Sequence, residues 1–287
     1  MNNDLIIGGD GLIGRELSKI LNKKKINHYK SSRQKISMNN KIFLDLNNRS
    51  SWENIPKDVS TAFLLAGETS LKACEENPLE SHKVNVENSI KICEMLNFLN
   101  CHVVVISSNL VFDGKRPFCR HDQDLIPQNQ YGKQKLELEQ QLAKLENISI
   151  LRISKIVESL RPLILSWRNK LLRHEAITPF CDKFCAPITV SKVARILIKL
   201  SRLPPGGTYH FSGDADISYV TIAQKLAKIL EIDQALISPI QSKKISVKSA
   251  KAELFSSLCM IGNQHDIGTN QNSTEVINDF LLEYRNL

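Results

Sequence analysis

The chain has 287 residues, of which 42% are hydrophobic and 24% charged, a balance typical of folded globular proteins. No run of 18 apolar residues occurs, and the start of the chain lacks the basic and long apolar regions of a secretory signal. Seven cysteines without a tight spacing pattern argue against a disulfide scaffold. We therefore predict a cytoplasmic protein with reduced thiols.

The net charge of +8 favours an anionic partner, such as a nucleic acid, a membrane surface or a phosphorylated small molecule. The densest basic run, Lys23 to Lys25, stands at the end of a predicted helix, where cations complement the helix dipole. Neither a zinc-finger spacing nor a basic stripe interleaved with aromatic residues occurs. We expect a small-molecule partner and neither nucleic acid nor membrane.

Short β-rich runs alternate with segments of helical period up to about residue 155, and more loosely beyond it. The predicted strands are 4–8, 26–29, 41–44, 61–65, 102–106, 149–153 and 208–211. The predicted helices are 13–22, 80–99, 131–145, 190–203 and 221–230. This alternation predicts an α/β fold, namely a Rossmann-type doubly wound parallel sheet with a smaller C-terminal α/β substrate-binding region.

A glycine-rich turn with the pattern G-x-x-G-x-x-G follows the first strand and opens the first helix. Gly8 permits the tight turn, Gly11 lets a pyrophosphate approach the backbone, and Gly14 lets helix and strand pack closely. The helix N-terminus, with Leu12 and Ile13, would receive the negative charge. The alternative is a glycine turn without a ligand.

The end of the second strand carries no acidic residue that would hold a ribose 2′-hydroxyl. Ser32 and Arg33 stand there instead, and a guanidinium beside a hydroxyl binds a 2′-phosphate through charge-assisted hydrogen bonds. NADP(H) is the preferred cofactor, with NAD(H) as the alternative. A solvated basic turn would look the same in the sequence.

Tyr131 and Lys135 form a Y-x-x-x-K pair on one face of a predicted helix. Such a pair is weak evidence alone, but Ser107 and Ser108 end the fifth strand some twenty residues earlier. Small hydroxyl residues there lie at the carboxyl edge of the sheet, where open α/β folds bind ligands. Glycine turn, strand-end serine and Tyr/Lys pair together predict a catalytic site.

These motifs resemble those of the extended short-chain dehydrogenases/reductases, in the sugar-nucleotide branch of the dTDP-4-dehydrorhamnose reductase type. That family carries a stretch close to S-T-D-Y-V-F-D-G before Y-G-x-x-K, and here residues 107–114 read S-S-N-L-V-F-D-G. The resemblance implies that Ser108 polarises the substrate carbonyl, Tyr131 donates the proton, and Lys135 holds the nicotinamide ribose and lowers the tyrosine pKa. It adds further cofactor contacts, which are Asp45, Leu46, Leu65, Ala66, Gly67 and Ser107.

Two departures bear on the substrate. Asn109 replaces the family aspartate, and Lys155 stands where the family often has an aromatic residue against the sugar. Substrate contacts are expected from Ser108, Asn109, Lys155 and Asp182, with no motif that can be aligned in residues 236–287.

The resemblance implies two regions. Residues 1–157, with 188–213 returning to them, would bind NADP, and residues 158–187 and 214–287 would bind the substrate. The implied activity is reduction of a keto group on a nucleotide-diphosphate sugar in deoxysugar or polysaccharide synthesis, by a homodimer.

Two alternatives stay open. One is an epimerase of the same superfamily; the other is a non-catalytic NADP-binding subunit, like the reductase-shaped regulatory subunit of methionine adenosyltransferase. Cys181 and Cys185 with His174 could be metal ligands, but C-x-x-x-C is not the usual zinc spacing, and we expect no metal.

Overall fold

The computed structural model describes residues 3–34, 40–242 and 254–285. Its strands are β1 (Asn3–Ile7), β2 (His28–Ser32), β3 (Lys41–Phe43), β4 (Val59–Leu64), β5 (His102–Ser108), β6 (Ile148–Ile153), β7 (Lys155–Ile156), β8 (Phe184–Cys185), β9 (Pro187–Ile188), β10 (Thr208–Phe211) and β11 (Ile217–Ser218). Its α-helices are α1 (Leu12–Lys23), α2 (Leu71–Glu76), α3 (Pro78–His82), α4 (Ser89–Phe98), α5 (Gln130–Leu142), α6 (Arg161–Leu172), α7 (Val190–Leu200), α8 (Tyr219–Ile229) and α9 (Ser273–Leu282). Residues 243–253 of the predicted substrate-binding region lie outside the described residues.

Within the described ranges, the main sheet has seven strands in the order β10-β6-β5-β4-β1-β2-β3, and every recorded pairing is parallel. From β1 the chain builds outward through β2 and β3, then crosses to β4 and builds outward in the other direction. The strand order therefore reverses between β1 and β4, and in such sheets ligands bind at this reversal, beyond the carboxyl ends of the strands. The predicted Rossmann-type doubly wound fold is confirmed.

The central strands are apolar on both faces because helices cover both. Ile6 of β1 and Val104 of β5 pack with α1 and α7 on one side. Their neighbours Leu5 and Val103 pack with α4 and α5 on the other side. Since side chains alternate along a strand, two opposite cores require near-continuous apolar runs, which β1 and β5 provide.

Two distant parts of the chain meet beneath the sheet. Leu17 of α1 packs with Val193 and Leu197 of α7 in one apolar core. Beside them the Arg202 guanidinium donates a 2.7 Å hydrogen bond to Asp4 Oδ2, and Asp4 is fully buried. Burial raises the pKa of the Asp4 carboxyl, and Arg202 opposes the rise. The ion pair joins the start of β1 to the turn after α7.

A third core lies after β6. Helices α6, α8 and α9 contribute Ile164, Ile222, Leu226 and Ile277 to it, and all four side chains are fully buried. Among the described residues no helix is both long and apolar enough to cross a membrane.

Helix boundaries differ from the sequence prediction in two ways. The single predicted helix 80–99 is divided into α3, a π-helical stretch Lys83–Asn88, and α4. Helices α2, α6 and α9 were also not predicted. At α6 Pro162 suggests an interruption, whereas proline in a first turn starts a helix without losing a hydrogen bond.

Candidate active site

The glycine turn lies at the reversal of the strand order. Gly8 has φ +94°, and a Cβ there would lie 2.6 Å from the backbone nitrogen of Ala66, just after β4. A Cβ on Gly14 would lie 2.3 Å from the Gly8 carbonyl oxygen. Only glycine permits these close approaches, and they leave the N-terminus of α1 facing the crevice. A helix N-terminus there suits a pyrophosphate.

A cavity of about 520 Å³ lies on the β2 side of this turn. It contains most of the predicted cofactor contacts, which are Gly8, Gly11, Ser32, Arg33, Asp45, Leu46, Leu65, Ala66 and Gly67. Ser32 is the last residue of β2 and Arg33 follows it with an exposed side chain. Strand β2 ends three residues later than predicted, which moves Lys30 to Ser32 into the strand.

Asp10 of the glycine turn also lines this cavity, a contact that the glycine spacing alone did not indicate. Its Oδ1 lies 3.6 Å from Lys30 Nζ and 3.7 Å from Lys41 Nζ. Burial acts to raise the pKa of Asp10, but a hydrogen bond with Ser32 and the two ammonium groups outweigh it and lower that pKa. Arg33 therefore lines the same cavity as Asp10, whose carboxylate offsets part of the positive charge of Lys30 and Lys41.

A second cavity, of about 500 Å³, contains the predicted catalytic residues Ser108, Tyr131 and Lys135. It shares Gly8, Gly11 and the 65–67 segment with the first cavity, so the two are continuous. Its remaining predicted contacts are Leu12, Ile13, Gly14, Ser107, Asn109 and Lys155. The structure thus brings the glycine turn, the strand-end serines and the Tyr/Lys pair together around one crevice.

The first two turns of α5 present Tyr131 and Lys135. Asn129 caps the helix by accepting a 2.8 Å hydrogen bond from the Gly132 N–H. A Cβ on Gly132 would lie 2.1 Å from the Leu110 carbonyl oxygen, so the helix packs directly on the segment that follows Ser108. Lys135 Nζ lies 5.7 Å from the centre of the Tyr131 ring and donates a 3.0 Å hydrogen bond to the Ile106 carbonyl.

Burial dominates the ionisation of this pair. It raises the pKa of Tyr131 above its ordinary value near 10, and the charge of Cys74 adds to the rise. Burial lowers the pKa of Lys135 to about 8, with Glu139 acting in the opposite direction. We expected the ammonium to lower the tyrosine pKa, but the spacing could not show how deeply the phenol is buried. The Tyr131 phenol is therefore protonated at neutral pH.

The serines at the end of β5 have different surroundings. Ser108 Oγ accepts a 3.2 Å hydrogen bond from the Leu110 N–H and contacts Asn109 Oδ1 at 3.4 Å. Ser107 Oγ is buried and has no hydrogen-bond partner among the described residues. A buried hydroxyl without a partner is unfavourable, and a ligand in the cavity that Ser107 lines would satisfy it.

A buried amide network attaches α5 to the loop after β4. Asn85, in the π-helical stretch, accepts a 2.8 Å hydrogen bond from the Glu68 N–H and donates one of 2.8 Å to Gln134 Oε1. Gln134 in turn donates to Ser81 Oγ at 2.8 Å. The network fixes the helix that carries Tyr131 relative to one wall of the cofactor cavity.

A buried ion pair attaches α5 to β6. Arg152 and Glu139 are each 7% exposed, and two Arg152 nitrogens bind the Glu139 carboxylate at 2.7 to 3.1 Å. His210 of β10 lies 3.3 Å from Arg152 Nη1, and its Nδ1 lies 3.0 Å from the Cys259 carbonyl. Burial, then His121 and Arg152, lower the pKa of His210 to about 3, so the imidazole is neutral.

The outer wall of the second cavity comes from the C-terminal region. Lys155, Lys183, Phe184, Tyr219 and Phe255 line it. The rings of Phe184 and Phe255 stack with centres 5.0 Å apart and an angle of 12° between their planes. Sequence reasoning missed this aromatic pair because 71 positions separate its members and no periodic pattern connects them.

Asp182, predicted as a substrate contact, does not line the cavity. Its carboxylate accepts hydrogen bonds of 2.9 and 2.8 Å from the N–H and the hydroxyl of Ser242. Cys181 is exposed and Cys185 buried. In the described part of the chain, no group of three or more His, Cys, Asp or Glu side chains is placed to hold a metal ion.

Comparisons with known proteins relate the whole chain to one family. The sequence model described as RmlD substrate binding domain matches residues 2–284. A dTDP-4-dehydrorhamnose reductase of Sinorhizobium fredii is 26% identical over 181 residues, 58% of this chain and 60% of that protein. The methionine adenosyltransferase 2 subunit beta of Bos taurus is 27% identical over 202 residues, 63% of this chain and 57% of that protein. Both matches thus span about three fifths of the relative's length.

Solved structures share the fold over nearly the full length. A dTDP-4-dehydrorhamnose reductase from Clostridium acetobutylicum superposes with a TM-score of 0.85 at 22% identity, covering 99% of each chain. One from Bacillus anthracis, in complex with NADP, has a TM-score of 0.80 at 20% identity, covering 99% of this chain and all of that one.

Proposed function

We propose, on the premise that this chain belongs to the RmlD substrate binding domain family, that it reduces a keto group on a nucleotide-diphosphate sugar with NADP(H). The observation that carries the proposal is the convergence of Ser108, Tyr131 and Lys135 on a cavity continuous with the glycine turn. The name of the Sinorhizobium relative supports the same substrate class.

The residues present fit a dinucleotide. The glycine turn leaves room for a pyrophosphate against α1, and the buried Ser107 hydroxyl has no partner within the described ranges. Ser32 and Arg33 would hold a 2′-phosphate, and Asp45 and Leu46 the adenine. NADP(H) is preferred, as bound to the Bacillus neighbour, and NAD(H) is the alternative, as bound to the neighbour MoeE5 with UDP-glucose.

The dinucleotide supplies the hydride when it is bound. Ser108 would polarise the substrate carbonyl, and Tyr131 would donate a proton to its oxygen. Burial keeps the Tyr131 phenol protonated, so it holds the proton that the carbonyl oxygen would receive. Lys135, held by the Ile106 carbonyl, stands one helical turn away and would orient the nicotinamide ribose. Residues 1–157 and 188–213 would bind the cofactor, and 158–187 and 214–287 the sugar nucleotide.

A screen of nucleotide-diphosphate ketosugars tests the reaction. NADPH absorbance should fall with at least one ketosugar and stay constant without sugar, and product analysis should show a new hydroxyl group. An isomer of the sugar formed without net NADPH consumption would instead indicate an epimerase.

One relative favours a second candidate. The beta subunit of methionine adenosyltransferase 2 shares 27% identity with this chain over 202 residues. A non-catalytic role predicts copurification with a partner enzyme and no turnover of any ketosugar. Ser108, Tyr131 and Lys135 all line one cavity here, and this convergence favours catalysis.

We also propose that the protein works in the cytoplasm, in deoxysugar or polysaccharide synthesis. Its cysteines are free thiols and five of them are buried, an arrangement that suits a reducing compartment.

Arg33→Asp should weaken NADPH binding about ten- to a hundredfold, because a charge-assisted hydrogen bond contributes roughly 1.5 to 3 kcal/mol. NADH lacks the 2′-phosphate, so its affinity should change little. Titration of both cofactors against the purified variant, followed by fluorescence, measures the difference.

Lys24→Asp is the matched control. It makes the same charge change at an exposed position beyond the C-terminus of α1, and the twelve residues of α1 separate it from the glycine turn. Its NADPH affinity should equal that of the unmodified chain. If Arg33→Asp weakens both cofactors equally, Arg33 does not bind the 2′-phosphate.

A further inference from the structure

Asp10 of the glycine turn is the shared counter-ion of two lysines at the first cavity. Its Oδ1 lies 3.6 Å from Lys30 Nζ and 3.7 Å from Lys41 Nζ. The Asp10 side chain is 47% exposed, whereas those of Lys30 and Lys41 are 23% and 16% exposed. Asp10 lines the cavity together with Ser32 and Arg33. The carboxylate that faces the cavity therefore neutralises part of the charge of two more deeply buried ammonium groups.

The strands place both lysines close to the predicted 2′-phosphate position. Lys30 of β2 is paired with Lys41 of β3. Because side chains alternate along a strand, Lys30 and Ser32 lie on the same face of the sheet. The Lys30 side chain also packs on the glycine turn, since a Cβ on Gly9 would lie 2.2 Å from Lys30 Cγ. A hydrogen bond between Ser32 and Asp10 completes the cluster, so the group that would bind the 2′-phosphate already contacts a carboxylate.

This carboxylate affects the two cofactors differently. A 2′-phosphate carries up to about two negative charges at neutral pH. At Ser32 and Arg33 it would be repelled by Asp10 and would compete with Asp10 for the two ammonium groups. NADH has a neutral hydroxyl in the same place, which can donate a hydrogen bond to a carboxylate. Asp10 therefore opposes the binding of NADPH and not that of NADH.

We infer that Asp10 is a specificity-determining residue, whose carboxylate reduces the preference for NADPH that Ser32 and Arg33 create, so that NADH is accepted as well. The inference rests on the proposed function and concerns its cofactor. It gives Asp10 and Arg33 opposite effects on the ratio of the two affinities, although both residues line one cavity.

Fluorescence titration of NADPH and NADH against purified Asp10→Asn tests this, because the amide keeps the size of the side chain and removes its charge. The affinity for NADPH should rise about tenfold, as expected when one charge-assisted contact is gained. The affinity for NADH should not rise. Asp10→Asn combined with Lys41→Gln should show a smaller gain for NADPH, because only Lys30 is then released.

Asp58→Asn is the control. It removes a carboxylate at an exposed position just before β4, at the opposite end of that strand from the cavity, and should keep both affinities. An unchanged NADPH affinity in Asp10→Asn overturns the inference and leaves the proposed function intact. An equal rise for both cofactors also overturns it, since the effect would then act on the shared pyrophosphate, and so does an undiminished gain in the double variant. If the unmodified chain binds neither cofactor, the proposed function fails, and the inference fails with it.

Discussion

Tyr131→Phe should fold and bind NADPH like the unmodified chain, while its ketosugar reduction slows by about 100- to 10,000-fold, the usual contribution of a positioned acid. The substitution removes one hydroxyl and leaves the glycine turn and Arg33 unchanged. Burial raises the pKa of Tyr131, so the phenol is protonated at neutral pH and its loss removes the proton donor. Cofactor titration and single-turnover reduction on the same preparation measure both quantities.

Tyr29→Phe is the control for this experiment. Tyr29 is half-buried on β2, and its hydroxyl contacts Asp58, which lies away from both cavities. Its reduction rate should be unchanged. A Tyr131→Phe enzyme that reduces ketosugars at the rate of the unmodified chain would show that another group donates the proton.

Glu139→Ala should lower the free energy of unfolding by about 3 to 5 kcal/mol, because it leaves the Arg152 guanidinium buried without its counter-ion. Both side chains are 7% exposed, so solvent cannot replace the lost carboxylate. Urea denaturation followed by circular dichroism gives the difference. The same change removes the charge that opposes the fall in the Lys135 pKa, so it also affects the ionisation of Lys135 on the same helix.

Glu137→Ala provides the comparison on the same helix. Glu137 is half-exposed and interacts with His82 at the surface, so its removal should cost less than about 1 kcal/mol. The double variant Glu139→Leu with Arg152→Met should recover part of the loss, since it removes both buried charges. A cost below about 1 kcal/mol for Glu139→Ala would contradict the assignment of this pair as a structural link.

The cofactor crevice was predictable from the sequence because its signals are local. Gly8, Gly11 and Gly14 stand in one short turn, and the spacing of Tyr131 and Lys135 places them on one face of a helix. The order of strands and helices then puts both groups at the carboxyl edge of one sheet, where the structure has them. Local spacing and sheet topology were sufficient for this half of the site.

The outer wall of the second cavity could not be predicted in the same way. Phe184 and Phe255 come from segments without periodic hydrophobicity, and only their packing creates the stacked surface. Asp182 was predicted to contact the substrate, yet its carboxylate accepts a hydrogen bond from Ser242, a residue sixty positions away. The pKa of Tyr131 was also beyond sequence reasoning, since it depends on burial more than on the neighbouring lysine.

The ion pair between Asp4 and Arg202 has a consequence for biosynthesis. The two residues are 198 positions apart, so at about 5 to 20 residues per second the ribosome needs roughly 10 to 40 seconds to supply the partner of Asp4. During that time the apolar face of α1 also lacks its packing partner α7. The nascent glycine turn therefore exists before the packing that holds its helix, and the crevice beside it can reach its final form only after residues 190–202 have been synthesised.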